Sequence, residues 1–373
     1  MNTDPEENAM NRTVEQTCKS HRQSGLTLVE IMVALVVGAV LLTGVAQIYA
    51  ATKATYRLQD SLARLQENGR FALSFLTRDV RMAGYHGCTN FGVVTNTLNN
   101  PTSLDYDFSI GLTGYNDVGA SPPAVLSAAG VVPNAGTDVI VVRRNSDEPI
   151  RVVKNNSSAQ LFAEVISQKP KGCKDGTDMV SGLCATDILM VSDCIKSRVF
   201  QAGNLQVTGT PPDVNITHPA SGSPGNAISS WGGASAPAEE QFGDDAEIVR
   251  IGTYAYFISD SADSGLPVLN RYDGGQVFEL VEGVEDMQVR YGEDTDGDRT
   301  ADVYRDADAV FDWSAVVSAR IHLLLRTNEN NLSDAPMDYI FNGATVTGAS
   351  LPTGDHYLRR EFTATVSVRN RAS

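Results

Sequence analysis

One apolar segment near the N-terminus constrains the fold of this chain more than any other feature. Residues 31–52 carry no charged side chain, and Lys53 ends this run of 22 positions. A helix of about 20 such residues spans the hydrocarbon core of a bilayer. Glu30 directly precedes the run, and a carboxylate there needs either a partner or a place outside the apolar layer. The sequence therefore predicts one membrane-spanning helix with an acidic residue at its start.

The polar residues before this segment do not fit an ordinary secretory signal. A cleaved signal peptide has a short apolar stretch followed by small residues, whereas here Gly25 precedes the apolar run. A leader that starts at Met1 holds three basic and four acidic residues, and a leader that starts at Met10 keeps only one of the acids. The second start agrees better with the positive-inside rule. With either start, we expect the large C-terminal part to lie on the far side of the membrane.

The net charge and the motifs argue against two classes of function, nucleic-acid binding and catalysis. The net charge of −16 argues against a nucleic-acid partner, because such a partner calls for a basic patch. The chain also lacks the GxSxG, HExxH, Walker A and GxGxxG motifs, and no Cys–His arrangement suited to catalysis is legible. We therefore expect no enzyme activity. The histidines after the leader are widely separated: His86, His218, His322 and His356.

A second helical segment follows the apolar run without interruption. Apolar residues over 58–80 recur at spacings of three and four, which places them on one helical face, with Gly69 interrupting the stripe. Gly84 and Gly87 supply a stop signal. The pattern predicts one helix from residue 26 to about residue 83, whose second half offers an apolar stripe to a sheet.

Beyond Cys88 the pattern changes to short strands separated by turn-forming clusters. The stretch 203–243 is rich in Gly, Pro and Ser, and it predicts a long surface loop that divides two strand-rich lobes. A binding loop around Trp231 is the alternative interpretation of that stretch. Several β-branched runs alternate apolar and polar residues, as half-buried strands do: 137–144, 186–194, 246–258, 318–327 and 361–370.

The five cysteines favour disulfides. Cys18 falls in the leader, which leaves an even number in the part expected to face an oxidising compartment. Three pairings are possible. Cys173 and Cys184 flank a short polar loop and suggest a local bridge, and Cys88 would then pair with Cys194. Metal ligation is the alternative, but the chain has no CxxC motif and no nearby set of histidines.

An acidic segment near residue 300 has part of the spacing of a calcium loop. Alternate oxygens at relative positions 1, 3, 5 and 9 converge on a hard cation in such loops. Here the glycine stands at position 4 where an EF-hand has it at 6, and position 12 is an arginine where a bidentate Glu is expected. A solvated acidic turn is the alternative. The candidate calcium ligands are Asp294, Asp296, Asp298 and Asp302.

The hexapeptide GLTLVE over residues 25–30, followed by the apolar run, resembles the prepilin cleavage and methylation motif of type IV pilins and type II secretion pseudopilins. The resemblance implies that prepilin peptidase cleaves between Gly25 and Leu26 and that Leu26 is then N-methylated. Most family members have Phe in place of Leu26. In the family the glutamate that corresponds to Glu30 is needed for methylation and pairs with the N-terminal amine of a neighbouring subunit.

Four further stretches stand out along the chain: LQENGRFALSFLTRDVRMAGYHGC (65–88), DTDGDRTADVY, DWSAVVSARIHLLLRT and LRREFTATVSVRN. They resemble the PilW family of minor pilins. The resemblance implies an α+β pilin-like fold, in which a long N-terminal helix packs on a large antiparallel β-rich head. It divides the chain into a leader (1–25), a transmembrane half-helix (26–52), a periplasmic half-helix (53–83) and a head (84–373).

The same resemblance implies a role in the priming of type IV pilus assembly, in support of adhesion, twitching motility or DNA uptake. The implied partners are other minor pilins, the major pilin, a large tip adhesin, the inner-membrane assembly platform and prepilin peptidase. The protein would be anchored in the inner membrane with its head in the periplasm, and it would then enter the pilus. A head of about 290 residues is bulky for a repeating subunit, which favours the filament tip.

Three alternatives stay open at this point. A type II secretion minor pseudopilin shares the processing motif. A membrane-anchored adhesive or ligand-binding module would use the 203–243 stretch or the acidic segment as its site. A signal-anchored periplasmic protein would never enter a filament.

Overall fold

The computed structural model describes residues 25, 27–85, 93–145, 149–193 and 195–369. The chain divides into an N-terminal unit up to Tyr56 and a C-terminal unit from Arg57 onward. Helix α1 spans Leu28–Arg81 and contributes to both units. The prediction of a single helix from residue 26 to about residue 83 is thus confirmed to within two residues at each end.

In the N-terminal unit, α1 is long and apolar enough to cross a membrane, and its most apolar window has no buried residue. In the C-terminal unit, one face of α1 is buried and includes Leu65, Ala72, Leu76 and Val80. This is the predicted apolar stripe. The helix ends at Arg81 because Gly84 adopts a left-handed φ of 66°, which glycine permits without a steric penalty, and turns the chain away.

The described residues form twenty strands, and most are short. A five-residue helix α2 (Ala124–Ala128) and four 3₁₀ turns lie between them. The strands are β1 Val93–Asn96, β2 Leu112–Val118, β3 Thr137–Asn145, β4 Ile150–Ser157, β5 Gln160–Glu164, β6 Gln168–Lys169, β7 Met179–Val180, β8 Ile188–Ser192, β9 Lys196–Gln201, β10 Leu205–Thr208, β11 Asp213–Thr217, β12 Glu247–Asp260, β13 Pro267–Asp273, β14 Gln276–Glu282, β15 Val284–Glu293, β16 Val303–Arg305, β17 Val316–Arg326, β18 Tyr339–Phe341, β19 Ala344–Val346 and β20 Arg359–Ser367.

Two sheets dominate the C-terminal unit. The larger has twelve strands, and β12 is its longest member: its first half pairs with β8 and β4, and its second half pairs with β3 and β13. The smaller sheet has the order β16-β15-β17-β20 and is antiparallel throughout. The predicted α+β class with a β-rich head is confirmed, and β1 with β9 adds one parallel pair to the described strands.

The largest core lies where the second half of α1 meets both sheets. Leu76 and Val80 of the helix join Tyr256 of β12 and Ile321 of β17 in one apolar cluster. All five predicted strand runs fall on strands of these sheets, namely β3, β8, β12, β17 and β20. Alternation of apolar and polar residues therefore located the strands correctly.

The stretch 203–243 is only in part the long surface loop that its composition predicts, because residues 218–237 form no strand or helix but the first part of the stretch belongs to a sheet. It contributes β10 and β11 to the larger sheet, and Val214 and Ile216 of β11 are fully buried. Trp231 is only 1% exposed and stacks on His218 with 4.2 Å between ring centroids. A binding loop around an exposed Trp231 is therefore wrong as well. The alternating pattern of β11 is only five residues long, and the turn-forming residues around it made it hard to recognise in the sequence.

Candidate functional site

The start of α1 carries a reciprocal hydrogen-bonded cap. The backbone N–H of Thr27 donates to Glu30 Oε2 over 2.9 Å, and the Thr27 hydroxyl donates to the same oxygen over 3.0 Å. In return, the N–H of Glu30 donates to Thr27 Oγ1 over 3.3 Å. This is a capping box, which satisfies backbone donors that the first helical turn leaves without intrahelical partners. The spacing T-x-x-E before an apolar run was the sequence signal for it, and sequence reasoning missed it.

The cap supplies hydrogen-bond partners for the Glu30 carboxylate, which was expected from the sequence to need a partner. The carboxylate folds back over the N-terminal end of the helix, where the helix dipole favours a negative charge. Its second oxygen, Oε1, accepts no hydrogen bond from the described residues. Gly25 is exposed ahead of the helix, and Leu26 lies outside the described residues. The roles of these three residues in processing and assembly stay predictions.

The last turns of α1 are held to the larger sheet by a buried polar cluster. The Asp79 carboxylate accepts a 2.6 Å hydrogen bond from the Tyr256 hydroxyl and lies 2.9 Å from Arg144 Nε. The Arg144 guanidinium also stacks 4.4 Å from the centroid of the Tyr254 ring. Burial, together with the neighbouring Asp79 charge, raises the pKa of Tyr256. The cluster sets where the helix ends on the sheet.

The middle of the same helix segment approaches the smaller sheet closely. A Cβ on Gly69 would lie 2.6 Å from the ring of Phe362 on β20, so the aromatic side chain packs directly against the helix backbone. Asn68 donates to the carbonyl of Glu282 over 3.0 Å at the end of β14. The glycine that interrupts the apolar stripe therefore lets the Phe362 ring of β20 pack directly against α1.

A buried carboxylate joins the two sheets. Asp138 of β3 is 1% exposed and accepts hydrogen bonds from the N–H groups of Asp117 and Val289, over 2.8 and 2.7 Å. Val289 belongs to β15 in the smaller sheet, so one side chain bridges both sheets. Burial raises the pKa of Asp138 to about 7, and the nearby Asp286 and Asp306 charges add to the rise.

The Cys173–Cys184 disulfide is confirmed. The two cysteines are eleven residues apart in sequence, and their Cα atoms lie 5.8 Å apart. The bridge joins the loop between β6 and β7 to the segment that follows β7. Cys88 and Cys194 lie outside the described residues, as does Cys18, and the second predicted bridge stays a prediction.

The structure brings together three of the four candidate calcium ligands. Oxygens of Asp294, Asp296 and Asp302 lie within 4.8 Å of one another, whereas Asp298 is not part of this group. The Asp298 carboxylate instead accepts hydrogen bonds from the N–H and hydroxyl of Thr300. Hard cations such as calcium prefer oxygen ligands, and three carboxylates meet in this hydrogen-bonded turn. Calcium binding stays a prediction.

The hydrogen bonds within this acidic turn favour its ionised form. The N–H and hydroxyl of Thr295 both donate to Asp302 over 2.7 Å and lower the pKa of that carboxyl. At Asp294, desolvation raises the pKa, but N–H donors that include Arg299 and Gly297 outweigh it and lower the pKa overall. The turn therefore keeps its shape as a charged loop, which is what either a cation site or a solvated acidic turn requires.

Two family models match this chain. Residues 20–46 match the prokaryotic N-terminal methylation motif, and residues 255–370 match the type IV pilus-assembly protein W family, PilW. These two matches support a PilW-like type IV minor pilin. The predicted resemblance is thereby confirmed, and the models point to a structural protein. No curated protein and no solved structure matches the chain.

The PilW match covers the second half of β12 and everything through β20, which includes the whole smaller sheet. Tyr256 and Phe362, which both contact α1, lie within it. The methylation motif together with the apolar first half of α1 fits an inner-membrane-anchored pilin. Thr27 and Glu30 of the capping box lie within that motif.

Proposed function

We propose that this PilW-like minor pilin helps to prime type IV pilus assembly and sits at the filament tip. The observation that carries the proposal is the capped start of α1 within the methylation motif: Gly25, then Thr27 and Glu30, then the apolar helix. Prepilin peptidase cleaves between Gly25 and Leu26, and the new N-terminal amine of Leu26 is methylated. The mature chain then begins two residues before the helix.

Assembly uses the charge of Glu30. A carboxylate and an ammonium attract strongly in a low-dielectric helix bundle, and each alone is expensive to bury. The capping box holds the Glu30 carboxylate at the helix start through one oxygen, and Oε1 remains to accept the amine of a neighbouring subunit. The pair sets the register in which one subunit's helix packs against the next.

The C-terminal unit faces the periplasm and then the cell surface in this proposal. A unit of this size would crowd a repeating lattice, whereas the tip has neighbours on one side only. The partners are other minor pilins, the major pilin, a large tip adhesin and the inner-membrane assembly platform. Initiation at the tip supports adhesion, twitching motility or DNA uptake through the filament that follows.

The test is mass spectrometry of the mature N-terminus, carried out separately on sheared surface filaments and on membranes. An N-methylated peptide that begins at Leu26 in the sheared fraction is the expected result. The same peptide in membranes alone would contradict the tip location and favour a type II secretion pseudopilin, which a defect in exoprotein secretion in a deletion strain would then establish. An uncut peptide across Gly25 and Leu26 in both fractions would leave a simple signal anchor.

A further inference from the structure

A cavity with a cationic lining lies beside the C-terminal end of α1. It has a volume of about 530 Å³, and its walls include Arg78 and Arg81 from the helix and Arg144 with Asn145 from the end of β3. Among the described residues, three guanidinium groups and one carboxylate, that of Asp79, line it. This local excess of positive charge stands out in a chain whose net charge is −16. We call this feature the cationic cavity.

The single carboxylate in the cationic cavity is already engaged. Asp79 is only 3% exposed, accepts the Tyr256 hydroxyl and pairs with Arg144. Within the described part of the chain, the side chains of Arg78 and Arg81 form no ion pair or hydrogen bond, and both residues are exposed. Among the described residues, these two positive charges have no counter-ion.

The third arginine, Arg144, is held in place by its neighbours, whereas Arg78 and Arg81 are exposed. Arg144 Nε faces Asp79, Nη1 donates to the carbonyl of Asn145 over 2.8 Å, and the guanidinium lies over the Tyr254 ring. Within the described part of the chain, these contacts leave Nη2 available as a donor. Because the group is already ordered, binding a carboxylate there costs little further side-chain entropy.

Helix electrostatics explains only part of this arrangement. Basic residues in the last turn of a helix interact favourably with its dipole, which accounts for Arg78 and Arg81. Arg144 comes from a different element, yet it converges on the same cavity. Small-molecule pockets are lined predominantly by apolar side chains, whereas seven of the eight described lining residues here are charged or polar. A segment of polypeptide that carries several carboxylates suits it better.

We propose that the cationic cavity is a docking site for an acidic segment of another protein, with carboxylates bound by Arg78, Arg81 and Arg144. Arginine suits this partner because its planar guanidinium can bind a carboxylate through two parallel hydrogen bonds. The inference goes beyond the proposed function, because it concerns the C-terminal unit and does not require entry into a filament.

The test uses the full chain in detergent and a fluorescein-labelled hexaglutamate peptide, followed by fluorescence anisotropy. The double variant Arg78→Gln/Arg81→Gln is compared with the wild type. The matched control is Arg70→Gln, an exposed arginine on the same helix that does not line the cavity. Arg144 is left unchanged because it pairs with the buried Asp79.

We expect saturable binding by the wild type, a loss of about tenfold or more in the double variant, and wild-type affinity in the control. Equal losses in the control would overturn the proposal, as would an absence of saturable binding at low salt. Inorganic phosphate that abolishes binding at concentrations comparable to the peptide would identify a site for free anions and would also overturn it. Unchanged thermal unfolding of the double variant shows that its fold is intact. Whether the protein enters a filament is tested separately, by mass spectrometry of sheared filaments.

Discussion

The Tyr256 hydroxyl donates a 2.6 Å hydrogen bond to Asp79 Oδ2, and both side chains are at most 3% exposed. The two residues are 177 positions apart in the sequence. Asp79 lies in the last turn of α1 and Tyr256 lies in β12, so the bond fastens α1 to the middle of the larger sheet. Arg144 completes the cluster by pairing with the same carboxylate.

Removal of Asp79 is expected to destabilise the C-terminal unit strongly. Asp79→Ala leaves Arg144 and the Tyr256 hydroxyl buried without their partner, which costs about 3–5 kcal/mol in the free energy of unfolding. Tyr256→Phe removes only one hydrogen bond to a charged group and costs about 1.5–3 kcal/mol. Chemical denaturation measures both values. The control is Asp60→Ala, at an exposed aspartate that pairs with Arg64. We expect it to change the free energy of unfolding by less than about 1 kcal/mol. Equal losses for Asp60→Ala and Asp79→Ala would contradict a special role of the buried Asp79 cluster.

Gly69→Ala is expected to destabilise, although alanine is the better helix former by about 1 kcal/mol. The new methyl would lie 2.6 Å from the Phe362 ring, so the ring must shift and the packing between α1 and β20 must loosen. A lower midpoint of thermal unfolding is the expected readout. Phe362→Ala in the Gly69→Ala background removes the clash, so the double variant loses less than the two single losses combined. Strict additivity would show that the two residues do not contact each other.

Asp138 is expected to make stability depend on pH. Its pKa is raised to about 7 in the folded protein, above the ordinary value of 3.8, so the folded state binds more protons between these values. The cost of ionisation is absent below pH 4, grows as the pH rises, and is complete above pH 7, at about 4 kcal/mol. Free energies of unfolding measured between pH 4 and pH 8 should therefore fall with increasing pH in this window.

The matched variant for this prediction is Asp138→Asn, which cannot ionise. It loses one of the two N–H contacts to Asp117 and Val289 and is less stable overall, but its stability should fall less steeply with pH. Asp286, whose pKa burial raises to about 6, keeps part of the slope. A wild type and variant with the same slope would show that Asp138 does not titrate in this range.

Calcium is expected to stabilise the protein if the acidic turn is a cation site. A ligand that binds only the folded state adds about 2.7 kcal/mol at one hundred times its dissociation constant, so the unfolding temperature should rise with calcium. Asp296→Asn removes one of the three converging carboxylates and should abolish the rise. Asp263→Asn, an exposed aspartate in another turn, should leave it intact. An unfolding temperature that calcium does not change would identify a solvated acidic turn.

The sequence by itself determined the features that depend on neighbouring residues. Helical periodicity located α1 and its buried face, alternation located five strands, and the spacing of Cys173 and Cys184 indicated their bridge. The capping box of Thr27 and Glu30 was equally legible, because its two residues are one helical turn apart. Periodicity and capping are properties of a short segment, so they can be recognised in the sequence without knowledge of the rest of the chain.

Only the tertiary structure decided which distant residues meet. Trp231 lies in a segment whose composition is typical of a surface loop, yet it is buried because β11 and Phe200 pack around it. Asp79 of α1 and Arg144 of β3 have no shared pattern in the sequence, and they pair because the helix ends on the larger sheet. Such contacts depend on strand register and on the packing of whole elements, which no local period encodes.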